Sequence, residues 1–164
     1  MSVLGIDPGI HRTGWAFLEG DSPSTARLVA AGLIETFPTS TLPERLLLLH
    51  GRLAEVLKTH PAREVAIEEF FFIKAAHTIR HTLQARGAIL LAAAQAGLGV
   101  WEYNPRQVKL SLTGSGAAAK SQIQRVVERR LGGVQLRPDD VADAAAIALC
   151  HLGARRFAAR ATPA

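Results

Sequence analysis

Four carboxylates in this chain occupy positions where an acid needs a partner. Asp7 ends the apolar run VLGI and is followed at once by Pro8-Gly9. It therefore falls at the carboxyl edge of a strand, where open α/β sheets build their sites, although an aspartate before Pro-Gly can also serve a turn and nothing more. Glu68 follows VAI in a segment that reads as a strand buried on both faces, and Glu69 stands beside it. At least one of the two must point into a cleft or away from solvent, and a buried Glu paired with Arg or Lys is the plain alternative. Asp140 and Asp143 are three apart, so a helix carries both on one face about one turn from each other. The tandem Asp139-Asp140 leaves a one-residue ambiguity, which spacing settles on Asp140; Asp139 is then a helix-start acid. Asp143 lies inside VADAAAIALC, apolar on nearly every side, and is expected to be buried with something cationic facing it. Such an all-oxygen set, with no Cys and no obvious His partner, suits magnesium or manganese and not zinc. In two-metal phosphodiester hydrolysis, ions about 4 Å apart activate water and stabilise the leaving oxygen, while nearby Lys and Arg hold the phosphates.

The elements that must position these acids are legible in outline. SVLGID reads as a strand and TGWAFLE as its hairpin partner across the Pro8-Gly9 turn, with LVAAGLIETF as a third strand after the polar link DSPSTA. TLPERLLLLHGRLAEVLKTH has apolar residues at 42, 46, 49, 53, 56 and 57, and Thr41 and Glu44 are spaced as a capping box, which predicts a helix. Residues 64–69 make a fourth strand, 76–96 a long Ala/Leu helix, and GVWEYN a fifth strand. PRQVKLSL and SQIQRVVERRL read as helices joined by a flexible TGSGAAA loop that orders on DNA, and the last helix starts near Pro138. Because crossovers through helices require parallel neighbours, the expected sheet is mixed and five-stranded, three antiparallel strands followed by two parallel ones. Residues 1–155 should form one domain, with 156–164 a frayed basic tail.

Composition narrows the partners. At 164 residues and 48% hydrophobic, the chain can bury a proper core. No apolar run reaches the roughly 18 residues of a membrane span, and MSVLGID has no basic and apolar export signal, so a cytoplasmic location is expected. Cys150, the one cysteine, cannot form an internal disulfide and lies in AAAIALC as an inert buried thiol. The formal net charge of +5 is unevenly spread: residues 1–104 are nearly balanced, whereas 105–131 hold Arg106, Lys109, Lys120, Arg125, Arg129 and Arg130 against Glu128 alone. An anionic polymer is a natural partner for that half.

GIDPG with Thr13-Gly14, AIEEFFFIK, QARG at 84–87, RQVK at 106–109, Gly-Ser-Gly followed by Lys120-Ser121-Gln122, and DDVADAAAIALCH occur in register along nearly the whole chain. Together they resemble the RuvC family of Holliday junction resolvases. The resemblance implies an RNase H-like fold and a homodimer that cuts four-way junctions by paired symmetric nicks in recombination and repair. It also implies Mg²⁺, with Mn²⁺ able to substitute and two ions per site. Carried over by motif, the catalytic and metal-binding acids fall on Asp7, Glu68, Asp140 and Asp143. The DNA contacts fall on Phe71, Arg106, Lys109 and Lys120, and at least one of Phe70, Phe71 and Phe72 is core. A junction-migrating helicase and its junction-recognition protein are implied as partners. Ala75 and Ile10 stand where family members often carry polar residues, which bears on junction contacts and on the loop beside Asp7. For the dimer, the helix from His77 to Gln95 carries Ile79, Leu83, Ile89, Leu90 and Leu91, more apolar surface than one sheet face needs. GIDPG also resembles the phosphate loop of actin-like ATP-binding proteins, but those need a second domain that a chain this short lacks. The other rival is a catalytically silent junction-binding module.

Overall fold

The structure is a computed structural model that describes residues 1–69 and 76–160, and within these it leaves aside the side chains of 76–79 and 156–160. In chain order the elements are β1 (Ser2–Asp7), β2 (Arg12–Glu19), β3 (Arg27–Glu35), α1 (Leu42–Thr59) and β4 (Glu64–Glu68), then α2 (Ala76–Gln95), β5 (Gly99–Tyr103), α3 (Pro105–Thr113), α4 (Lys120–Arg130) and α5 (Asp139–Arg160). One mixed sheet runs in the order β3-β2-β1-β4-β5. The β1–β2 and β2–β3 pairs are antiparallel, and β1–β4 and β4–β5 are parallel, which is the arrangement expected from the sequence.

Period-two alternation sorts the strands onto two cores. Leu4, Ile6, Val65 and Ile67 face one side, where they pack with Leu49, Leu53 and Leu57 of α1 and with Ala85 and Ile89 of α2. Val3, Ala16, Leu18 and Ala66 face the other side, under α5 and the α3–α4 pair. Along β1, residue 7 therefore shares the face of residues 3 and 5, and along β4 residue 68 shares the face of residue 66. Both strand-end acids project toward α5. That helix lies unusually close to the sheet, because a Cβ on Gly5 would overlap the Ala144 carbonyl oxygen and a Cβ on Gly14 would overlap that of Asp140. The alanines of α5 are the matching half of this close approach.

Several details differ from the expectation. The third strand stops at Glu35, short of Phe37, because Thr36 turns away to donate its amide to the His11 carbonyl (3.0 Å) and its hydroxyl to that of Ile10. The fourth stops at Glu68, although the Glu69 amide still reaches the Tyr103 carbonyl (2.8 Å). The TGSGAAA segment is a closed turn with a set conformation: Gly114 adopts φ 76°, the Ser115 amide donates to Thr113 Oγ1 (3.2 Å), and Ala118 is buried in the core. Asp143 is not buried, its side chain being 36% exposed. The capping box at Thr41 is present, the Glu44 carboxylate accepting the Thr41 amide at 2.7 Å. Helix α5 continues to Arg160, and residues 161–164 of the expected tail lie outside the described residues.

Candidate active site

The β1–β2 turn is set by Thr13, fully buried, whose hydroxyl donates to the Gly9 carbonyl at 2.7 Å. Register then places Ile6 opposite Ile67, so Asp7 and Glu68 follow as neighbours at the carboxyl edge of the sheet. The first turns of α5 lie directly over them and contribute Asp140 and Asp143. Burial is the largest influence on Asp7 and raises its pKa from 3.8 to about 7, with Glu68, Asp143 and Asp140 each adding repulsion and Lys120 opposing. Glu68 is raised as well, first by burial and then by Asp143, against Lys120 and Lys109. Asp7 has no hydrogen bond or salt bridge to any described residue.

Two of the acids are held by cations of the chain itself. Arg12, at the start of β2, forms an ion pair with Asp140. Lys120, at the start of α4, places its Nζ 2.9 Å from Asp143 and 3.5 Å from Asp139, and the bond to Asp143 raises its pKa. Among the described residues, no three Asp, Glu, His or Cys side chains already stand at ligand spacing around one point. Hard oxygen donors in this number fit a divalent cation, and the acceptance of Arg12 and Lys120 shows that Asp140 and Asp143 take positive charge in place. The carboxylates would have to turn off those two side chains to share one ion.

A cavity of about 200 Å³ opens beside the acids, lined by Glu68, Lys109, Lys120, Ile123 and Asp143 among others. Lys109 and Lys120, assigned to the DNA path by resemblance, thus both face the acid cluster. Arg106 is exposed one turn earlier on α3, packed over Gly116, so that a Cβ at Gly116 would collide with its stem. Ile10 is partly buried, and its carbonyl accepts from Thr36 and, at 3.3 Å, from Arg45, so the loop beside Asp7 is fixed through backbone groups. Phe70, Phe71, Phe72 and Ala75 lie outside the described residues, as does the side chain of Ile79.

Sequence reasoning missed three groups. Arg12 was hidden because its acid is 128 positions away. Arg86, inside the QARG motif, is buried; it donates to the Glu68 carbonyl at 2.6 Å and pairs with Glu102, pinning the end of β4. A buried arginine in an Ala/Leu helix was the available signal. His151 is fully buried, with Nε2 2.6 Å from Glu64 and Nδ1 accepting the Tyr103 hydroxyl at 2.7 Å. Burial lowers its pKa and keeps the ring neutral, while burial raises that of Tyr103 to about 12. Arg155 completes this cluster, bonded to Glu64 at 2.7 Å and stacked over Trp101 at 4.7 Å. Cys150 is buried as expected, and burial pushes its thiol up.

A sheet ordered β3-β2-β1-β4-β5, with acids from the central strand, its parallel neighbour and the covering helix gathered at one edge, defines the RNase H-like class of fold. Within that class, the family model described as crossover junction endodeoxyribonuclease RuvC matches residues 3–151, and the chain belongs to this family. Relatives bearing that description include the protein of Caldicellulosiruptor saccharolyticus, 44% identical over 153 residues (93% of this chain and 92% of the relative). The protein of Pelotomaculum thermopropionicum is 45% identical over 152 residues, covering 92% of each. Among solved structures, T. thermophilus RuvC in complex with Holliday junction substrate superposes with a TM-score of 0.92 at 38% identity, over 96% of both chains. Among the described residues, no helix is long and apolar enough to cross a membrane.

Proposed function

We propose that Asp7, Glu68, Asp140 and Asp143 are the catalytic and metal-binding residues of an endonuclease that resolves four-way DNA junctions by paired symmetric nicks, in homologous recombination and repair. Membership of the crossover junction endodeoxyribonuclease family supplies the reaction class. The observation that carries the assignment is Asp7, raised to about 7 by burial and by three other carboxylates, without a bonded cation among the described residues. A fold tolerates that cost where a ligand relieves it.

When bound, divalent cations, magnesium or manganese and two per centre in this reading, would supply Lewis-acid polarisation of the scissile phosphodiester and an activated water. The residues of the chain do the rest. Asp7 must lose its proton to act as a ligand, which its raised pKa makes sensitive to pH near neutrality. Arg86 fixes the Glu68 backbone, so that carboxylate is presented from a rigid strand end. Lys109 and Lys120 face the cavity beside Glu68 and would hold phosphate oxygens, and in this reading Arg106 and Phe71 are further DNA contacts, assigned by the family resemblance.

A junction has approximate two-fold symmetry and needs two cuts, so a C2 homodimer with one centre per protomer fits the task. Leu83 and Leu91 of α2, 43% and 53% exposed, offer an apolar contact for the partner protomer. The same reading brings in a junction-migrating helicase with its junction-recognition protein, and a cytoplasmic site of action. One observation favours a second reading, a silent junction-binding module: Arg12 and Lys120 pair with Asp140 and Asp143, so side chains of the chain itself can satisfy two of the acids. A single assay separates them, cleavage of a synthetic mobile four-way junction with and without Mg²⁺ against a linear duplex. The proposal expects Mg²⁺-dependent cutting of the junction alone, lost in Glu68→Gln and Asp143→Asn. No cutting under any metal would leave the silent module, and equal cutting of the duplex would reduce the enzyme to a general nuclease.

A further inference from the structure

A groove of about 480 Å³, sharing no lining residue with the cavity at Lys109, is lined by His11, Arg12, Arg45, His81, Thr82 and Asp140 among others. Among the described residues, Asp140 is the only acid in that lining. Arg45 is fixed there from α1, its Nε donating to Thr36 Oγ1 at 2.8 Å and a terminal nitrogen donating to the Ile10 carbonyl at 3.3 Å. Beyond Arg12, a second open hollow is lined by Lys120, Arg137 and Asp139. Arg12 and Asp140 line both, so the pair stands at the boundary between them. The Arg12 side chain is 44% exposed and its ion pair is with Asp140.

We propose that Arg12 is a latch: it pairs with Asp140 while the acids hold no cation, and cation loading releases it to contact a phosphate of a DNA strand running through the His11–Arg45 groove. The inference rests on the reading of Asp140 as a cation ligand. A divalent cation and a guanidinium on the same carboxylate repel each other, so loading weakens the Arg12–Asp140 pair and frees Arg12 for an anionic partner. Its long stem, anchored at the start of β2, keeps it beside the groove. A planar guanidinium matches two phosphate oxygens, and the groove already carries Arg45 and two histidines. Linkage then requires reciprocity: cation tightens DNA, and DNA tightens cation.

The test uses the full chain and calcium, with cleavage monitored on a gel in the same samples. Without DNA, calcorimetric titration should show Arg12→Gln binding Ca²⁺ about two- to fivefold more tightly than the wild type, because an exposed ion-pair competitor has gone. With junction DNA, the salt dependence of binding should be shallower in Arg12→Gln by about 0.9 in log–log slope in Ca²⁺ but unchanged in EDTA. Arg12→Lys should recover most of that slope, and Arg12→Met carries the test if thermal melting shows Arg12→Gln to be unfolded. An equal loss of slope in both conditions makes Arg12 a phosphate contact with no latch, and an unchanged slope in both removes the contact; either result overturns the inference. The parent reading is checked separately by Asp140→Asn. If that variant binds Ca²⁺ as the wild type does, the ligand assignment fails, whereas weakened Ca²⁺ binding there beside an inert Arg12→Gln overturns the latch alone.

Discussion

Replacing Asp7 by Asn tests the electrostatic argument most directly, because its effect on stability has a sign opposite to that of an ordinary polar deletion. An acid whose pKa is higher folded than unfolded is protonated preferentially in the native state. Its ionisation therefore costs stability, starting near the unfolded value of 3.8 and reaching the full cost above the folded value of about 7. At about 1.4 kcal/mol for each pH unit between those values, the metal-free protein at pH 8 carries a cost on the order of 4 kcal/mol at Asp7. By pH 5 only about 1.5–2 kcal/mol of it has accrued, so about 2–3 kcal/mol of stability should be lost between pH 5 and pH 8. The Asn side chain has no charge to desolvate, and its own unmet hydrogen bonds return about 1 kcal/mol of the gain. In EDTA at pH 8, Asp7→Asn should then melt roughly 6–12 °C above the wild type, at about 2–4 °C per kcal/mol for a chain of this size. The advantage should shrink toward pH 5. Saturating Mg²⁺ should reverse the order, since the wild type gains ligand stabilisation that the variant forgoes. Calorimetry or thermal circular dichroism at the two pH values, with and without Mg²⁺, reads all four states. Parallel pH profiles for the two proteins in EDTA would refute the crowded-carboxylate argument, whatever Asp7→Asn does to cleavage.

Gly14→Ala would place a methyl on the Asp140 carbonyl and push the start of α5 off the sheet; it should lower stability by about 1–3 kcal/mol in urea unfolding and cut junction cleavage more than junction binding. Arg86→Ala leaves the Glu68 carbonyl without its buried donor and should cost about 1–3 kcal/mol by the same measurement, with cleavage falling further than the stability loss explains. Lys109→Ala should weaken binding evenly across DNA sequences and reduce the salt slope by about 0.9 if it makes one full phosphate contact, read by fluorescence anisotropy. Leu83→Glu with Leu91→Glu should shift light-scattering mass from dimer to monomer near micromolar concentration, and on a supercoiled cruciform should replace direct linearisation by accumulated nicked circles; an unaltered dimer would move the interface off α2.

Period and punctuation made the scaffold readable. VLGI before Asp7 and VAI before Glu68 are short unbroken apolar runs, so strand and edge are legible, and the shared face follows once the two strands are parallel neighbours. The capping box at Thr41 and the proline at the start of α3 fixed helix starts from a few residues each. Pairings across long separations were not readable. Arg12 with Asp140 and His151 with Glu64 join residues 128 and 87 positions apart, and no local pattern encodes such a match. The end of β3 is not legible either, because Thr36 and Phe37 favour extended backbone, while Thr36 is turned by bonds to residues 10 and 11, on a different strand connection.

The exposure of Asp143 follows from how α5 meets the sheet. A helix apolar on nearly every side reads as buried along its whole length, yet its apolar residues are mostly alanines, and small side chains mark close approach as much as depth. Gly5 and Gly14 on the sheet and Ala144 and Ala148 on the helix bring the two backbones together. That leaves the first turn of α5 at the sheet edge, where Asp143 is half-exposed and meets Lys120. Closeness therefore does what burial was expected to do: it brings Asp140 and Asp143 close enough to raise the pKa of Asp7 while keeping both open to cations. Larger residues at these four positions would preserve an apolar helix and a five-stranded sheet, but would spread the acids apart and relieve the repulsion on which cation binding depends.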